Sequence, residues 1–224
     1  MAPDYEELRR AMVESQVRTT DVTDLPLIEA LLTVPREQFV PEQQKPFAYT
    51  DRDVPLDDGT SMAPRFLMQA SPFAKMVQLA EIERDDFILD VGCGLGYSSA
   101  VLSCLGAAVI ALESDADLAD KATAKLASQG FDSVAVVSGP LEAGYAAEAP
   151  YSVVFVNGSV QMKPETLLEQ VKPGGRLVVV EGDGLDAVAR LYIRDEQGII
   201  SDRTAFNASV KQLPGFAKAA EFEF

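Results

Sequence analysis

Residues 89–103 read LDVGCGLGYSSAVLS, an aspartate followed by three alternate glycines, Asp90, Gly92, Gly94 and Gly96. Glycine admits positive φ and lets a ligand reach the backbone, and the free N–H groups of a helix start favour an anionic or electron-rich group. The stretch is therefore suited to a nucleotide-like ligand, or is a tight turn and no more. A dinucleotide fingerprint needs its third glycine at position 97, and Tyr97 stands there. Glu113 ends the next apolar run, where a carboxylate can accept from both hydroxyls of a ribose or serve as a solvated strand-end charge or helix cap. The second place for chemistry is DDGTSMAPRF, residues 57–66, with adjacent hydroxyls on Thr60 and Ser61. These could lie beside a ligand. Alternatively Asp57, Asp58 and Gly59 form a turn, Ser61 caps a helix and Pro64 sits in its first turn. Arg65 could hold a carboxylate bidentately or be a solvated helix charge.

Other chemistries lack their residues. There is no histidine, and the two cysteines, Cys93 and Cys104, are too few for a disulfide framework, so a zinc site or a histidine triad has almost nothing to be built from. Both cysteines are expected to be buried thiols, and no metal is expected. The formal net charge is −16, from 35 acidic and 19 basic residues, with no basic cluster to track phosphates, which disfavours a nucleic-acid partner. No apolar run reaches about 18 residues and MAPDYEELRR is not an export signal, so the expectation is a cytoplasmic protein with no membrane partner.

The elements that must position these residues follow from hydrophobic period. With 47% hydrophobic residues the chain can bury a real core. From residue 85 onward continuous Val, Ile and Leu runs alternate with helical stretches: FILDVG, YSSAVLSCLG, AVIALES, DADLADKATAKLASQG, SVAVVSG, YSVVFVN, PETLLEQV and GRLVVVEG. Such strands are buried on both faces, which predicts an α/β fold with a doubly wound, mostly parallel sheet. AVARLYIRDEQGIISDRTAFNAS reads as an antiparallel C-terminal hairpin turning near Gly198. Residues 1–60 form a helical and irregular N-terminal extension, with Leu8, Met12 and Val17 on one stripe, a second helix over about 23–33 ended by Pro35, and aromatic anchors Phe39, Phe47 and Tyr49. Residues 61–224 form the Rossmann-like unit, and the two make one compact body. A helical pattern over about 62–82 should kink or break at Pro72. In such a sheet the ligand binds at the carboxyl ends of the strands where strand order reverses, which selects the Asp90–Gly96 turn.

The acid, the Asp-x-Gly-x-Gly-x-Gly turn and the acidic end of the second strand resemble a class I S-adenosylmethionine-dependent methyltransferase. TVPREQFVP (33–41), AYTDRDVPL (48–56), the glycine turn and VKPGGRLVV (171–179) together resemble the protein-L-isoaspartate O-methyltransferase family over roughly residues 12–180. The resemblance implies S-adenosyl-L-methionine as cofactor and, as acceptor, the carboxylate of an isoaspartyl residue in a damaged protein or peptide, or a related soluble acceptor. It assigns Asp90, Gly92, Gly94 and Gly96 to the cofactor turn and Glu113 to the ribose. Where the family reads Gly-Asp-Gly at the third strand end this chain has Pro140, leaving the Leu141 backbone N–H and apolar faces for the adenine. Asn157, at the end of strand four, faces the cleft and touches a ligand or caps a turn. Aligning Thr60 and Pro64 with the family loop Gly-Gln-Thr-Ile-Ser-x-Pro puts Met62 on its functional serine. A one-residue slip makes Ser61 the stand-in, with Thr60 beside it as the other catalytic candidate. An alternative is a non-catalytic relative that binds the cofactor or protein partners, and NAD-dependent oxidoreduction is a minor third. A monomer or weak homodimer is expected.

Overall fold

The computed structural model describes residues 3–57 and 63–217. Helix α1 (Tyr5–Met12) begins at Asp4, whose side chain accepts from the backbone N–H groups of Glu6 and Glu7, and it continues through a π turn and a 3-10 turn to Thr20. Helix α2 (Leu25–Thr33) is capped by Asp24 and stops before Pro35. Met12 and Val17 are buried as the stripe predicts, whereas Leu8 is exposed. Two 3-10 turns, Arg36–Phe39 and Glu42–Phe47, carry the proline-rich stretch. Phe39 and Tyr49 anchor it in the core, but Phe47 is exposed under Arg52, whose guanidinium lies 4.6 Å from the ring centroid.

Strands β1 (Val54–Pro55) and β2 (Phe66–Leu67) pair antiparallel, with Val54 opposite Leu67. The expected helix over 62–82 is therefore corrected: Phe66 and Leu67 are extended, and helix α3 runs Ala70–Leu79. Pro72 breaks nothing because it lies in the first turn, where its missing N–H has no acceptor to lose. Pro64 likewise opens no helix; it leads into β2.

The main sheet holds β3 (Phe87–Val91), β4 (Ala108–Glu113), β5 (Val134–Ser138), β6 (Tyr151–Val160), β7 (Val171–Glu181), β8 (Val188–Arg194) and β9 (Ile200–Asn207). Its order is β5-β4-β3-β6-β7-β8-β9. The first five strands in that order run parallel and the last two add antiparallel, which is the expected doubly wound sheet with a terminal hairpin. Helices α4 (Tyr97–Ser103), α5 (Ala116–Ser128) and α6 (Glu165–Glu169) form the crossovers. The chain winds outward from β3 to β5 and then returns to β6 on the other side, so the strand order reverses at the β3–β6 pair. Two apolar clusters cover the sheet. The larger takes in the N-terminal helices and α3 with Ile88, Val153 and Phe155, and the smaller gathers Leu89, Val154, Leu167 and Leu213.

One register change shapes the site. Phe155 pairs with Val178 and Ser159 with Val180, so four residues of β6 oppose two of β7 and the strand bulges at Asn157 and Gly158. The freed edge of β6 is taken by residues 208–216. Ser159 N–H donates to Lys211 O and Leu213 N–H to Ser159 O, each at 2.9 Å, and Gln161 N–H reaches Phe216 O at 3.2 Å. This strap lies across the carboxyl ends of the strands.

Candidate functional site

The glycine turn leaves β3 at Val91 and enters α4 at Tyr97. Gly92, Gly94 and Gly96 have φ of 85°, 58° and 96°, the left-handed region that glycine occupies without a Cβ clash. Space matters as much as torsion. A Cβ on Gly92 would stand 2.7 Å from Arg65 Nη2 and 2.9 Å from Leu213 Cδ2, and one on Gly94 would stand 2.5 Å from Leu56 Cδ1.

Asp90 is wholly buried at the end of β3. Its Oδ2 accepts the hydroxyls of Ser98 and Ser99, at 2.5 and 2.6 Å, from the first turn of α4. Its Oδ1 is buried with no hydrogen-bond partner. Burial pushes the Asp90 carboxyl up to about 6, against the pull of the two serine hydroxyls. Asn157, half-buried on the β6 bulge, donates to Ser98 Oγ (2.9 Å) and Gly92 O (3.3 Å), so it braces the turn from the neighbouring strand.

Glu113, at the end of β4, is also fully buried, which removes the solvated strand-end reading. Oε1 accepts from Ser114 N–H (2.8 Å), Ser114 Oγ (3.2 Å) and Asp115 N–H (3.2 Å). Oε2 accepts from Gly94 N–H (2.8 Å) and from Arg65 Nη2 (3.1 Å). Arg65 is thus a buried ion-pair partner of Glu113 and no solvated helix charge. The base of the β1–β2 hairpin fixes its backbone: Arg65 N–H donates to Asp57 Oδ2 at 3.0 Å and its carbonyl accepts Leu56 N–H at 2.9 Å. Its Nε is buried without a partner.

Leu141 is fully buried on the 3-10 turn Leu141–Ala143, beside Pro140. Gly139 N–H donates to Glu113 O at 3.0 Å, so the end of β5 adjoins that of β4. A cleft opens next to Arg65, lined by Asp53, Phe66, Asn157, Lys211 and Leu213. Lys211 Nζ sits 5.3 Å from the Phe66 ring centroid.

The structure therefore gathers Asp90, the three glycines, Glu113 and Asn157 at one end of the sheet, with Leu141 at its margin. Thr60 and Ser61, like Met62, lie outside the described residues. Cys93 is buried within the turn, and burial raises its thiol well above the usual range, while Cys104 is exposed, contrary to expectation. Among the described residues no group of three or more His, Cys, Asp or Glu side chains could hold a metal ion. Sequence reasoning missed Arg65 as the partner of Glu113, the two serines on Asp90, and the strap residues Lys211 and Leu213. The serines had a signal, two hydroxyls in the first helical turn behind a strand-end aspartate; the strap had none.

The family model described as protein-L-isoaspartate(D-aspartate) O-methyltransferase matches residues 7–210. The chain belongs to this family. The protein-L-isoaspartate O-methyltransferase of Protochlamydia amoebophila is 36% identical over 185 residues, 83% of this chain and 86% of that one. The protein-L-isoaspartate O-methyltransferase of Methanoculleus marisnigri is 35% identical over 174 residues, 78% and 77% of the two chains. The fold agrees with two solved members. One protein-L-isoaspartate O-methyltransferase superposes with a TM-score of 0.77 at 24% identity, covering 94% of this chain and 66% of that one. The beta-aspartate methyltransferase of Plasmodium falciparum, in complex with S-adenosyl-L-homocysteine, gives 0.76 at 17% identity and covers 95% and 99%. This methyltransferase membership leaves no support for the NAD reading that Tyr97 already disfavoured. Among the described residues no helix is long and apolar enough to cross a membrane.

Proposed function

We propose that this protein is an S-adenosylmethionine-dependent methyltransferase whose acceptor is the free carboxylate of isoaspartyl residues in damaged proteins or peptides. The observation that carries the reading is the pairing of a bare three-glycine turn with a wholly buried strand-end carboxylate, Glu113, in a chain of this family.

The residues fit the cofactor by type. Glu113 is a strand-end carboxylate of the type that accepts ribose hydroxyls, the buried Asp90 Oδ1 lacks a donor, and the glycines add no side chains of their own to the turn. A ligand carrying a ribose and a cationic end matches such an acidic floor. When bound, the cofactor supplies an electrophilic methyl on a sulfonium sulfur, and because the leaving group is neutral the reaction needs alignment and dryness more than acid–base assistance.

The chain's own residues then have limited tasks. Ser98 and Ser99 orient Asp90, and Asn157 braces Gly92 from the neighbouring strand. Leu56 and Leu213 wall the turn against water. No base is required, since a carboxylate acceptor is ionised at neutral pH. A chain of net charge −16 repels such an acceptor at long range, so local positive charge must receive it, and Lys211 in the cleft beside Phe66 is placed to do so. We assign Thr60 and Ser61, in the segment joining Asp57 to Arg65, to the acceptor side of the transferred methyl, and Leu141 to the adenine.

The test is transfer of labelled methyl from S-adenosylmethionine to an isoaspartyl peptide, with the aspartyl isomer as control. A base-labile methyl ester on the isoaspartyl peptide alone is the expected result. Equal labelling of both peptides, or of neither while S-adenosylhomocysteine binds, refutes the acceptor.

A further inference from the structure

We propose that Arg65 competes with the cofactor for Glu113, and that cofactor binding releases its guanidinium into the acceptor cleft, so that the cofactor prepares the site for an anionic acceptor. This deepens the functional reading above and rests on it.

The case begins with the acceptor capacity of Glu113. An ionised carboxylate has about four lone-pair sites. Here it already receives five donors, three on Oε1 and two on Oε2, with no solvent exposure. Two ribose hydroxyls cannot be added to a carboxylate so filled. Four of the five donors belong to Gly94, Ser114 and Asp115, short groups fixed by the turn and the β4 end. Three of those four are backbone N–H groups; only the Ser114 hydroxyl and the fifth donor, the tip of a long side chain, can leave without undoing the backbone, and of these two only Arg65 is charged.

Arg65 is also poorly held where it is. One of its nitrogens meets Glu113 while Nε is buried with no partner, so the guanidinium is desolvated for few bonds in return. Its Nη2 lies 2.7 Å from where a Gly92 side chain would begin, on the face that the glycine keeps clear. The guanidinium thus covers the glycine turn beside the buried Leu213 side chain.

The direction of release is set by the hairpin. Because the Arg65 backbone is tied to Asp57 and Leu56, the side chain swings without its backbone, and the cleft it already lines with Asp53, Phe66, Asn157 and Lys211 is where it turns, those side chains giving way to admit it. There it joins Lys211 and Asp53, and a cleft that otherwise holds one ammonium and one carboxylate gains a second positive charge only once the cofactor is seated. An anionic acceptor then meets its full complement of cations after the methyl donor has bound.

The experiment is calorimetric titration of S-adenosylhomocysteine into the wild type, Arg65→Met and Arg65→Lys. Removing the competitor should tighten binding about tenfold or more in Arg65→Met, the equivalent of one charge-assisted hydrogen bond that no longer has to be broken. Arg65→Lys, which keeps the charge and guards against a Met variant that does not fold, should fall between the two. A second titration follows the isoaspartyl peptide with and without S-adenosylhomocysteine. The nucleoside should tighten peptide binding to the wild type and leave Arg65→Met unaffected. Equal or weaker nucleoside binding by the Arg65 variants overturns the competition, and a peptide affinity independent of the nucleoside in the wild type overturns the release. If neither wild type nor variants bind S-adenosylhomocysteine at millimolar concentration, the cofactor assignment itself falls and the proposal with it.

Discussion

Replacing Asp90 by asparagine should remove a pH-dependent step from the stability of this protein. The carboxyl is wholly buried, its Oδ1 has no partner, and burial lifts it to about 6 from an ordinary value of 3.8. A raised carboxyl means that the folded state holds the proton more tightly than the unfolded state. The stability it contributes is therefore complete below about pH 4 and is lost as pH rises through about 6. A difference of about 2 pH units at 1.36 kcal/mol each amounts to about 3 kcal/mol between those limits. Roughly half, ~1.6 kcal/mol, falls between about pH 4.8 and 7.5, a window that avoids precipitation near the sequence pI of 4.3. Asparagine keeps an acceptor for Ser98 and Ser99 and carries no charge at either limit. Urea unfolding of wild type and Asp90→Asn across that window supplies the difference in ΔG. The wild type should lose ~1.6 kcal/mol relative to the variant as pH rises. A difference that stays constant to within about 0.5 kcal/mol would refute the reasoning, because the buried acid would then not be held up by its surroundings.

Three further outcomes follow from geometry. Arg36, 1% exposed, donates to Ala48 O (2.7 Å) and Met68 O (2.6 Å) under the Tyr97 ring, so Arg36→Met should lower the stability read from urea midpoints by about 3 kcal/mol as two buried carbonyls lose their donor. Leu213→Ala should cost about 2–4 kcal/mol in the same assay, since its methyls pack on Gly92 and Gly158 at the join of strap and turn. Lys211→Gln should raise KM for the isoaspartyl peptide about fivefold, the equivalent of ~1 kcal/mol for an exposed ion pair, while KM for S-adenosylmethionine stays put.

The parallel strands were legible because burial on both faces writes an unbroken apolar run, and β3, β4, β6 and β7 each carry one. The glycine turn was legible for a related reason: positive φ and a close neighbour both exclude a side chain, so Gly92, Gly94 and Gly96 leave a mark in composition. Arg65 left none. An arginine beside a proline looks the same whether it is solvated or buried, and its burial depends on a carboxylate 48 positions later. Phe47 and Cys104 misled for the converse reason, since an apolar residue type does not say which side of a short turn it faces. Pro72 misled because helix position decides whether proline breaks a helix, and α3 starts only two residues before it. The Lys211–Leu213 strap is extended chain held by backbone bonds to one bulged strand, and such contacts impose no hydrophobic period.

That strap bears on how the protein is made. A nascent chain halted at Asn207 already contains every strand of the sheet, yet Gly92 and Gly158 still lack their Leu213 cover and the cleft lacks Lys211. During ribosomal synthesis the glycine turn is accordingly covered after the sheet that carries it is complete, when residues 208–216 have cleared the exit tunnel and zipped onto β6.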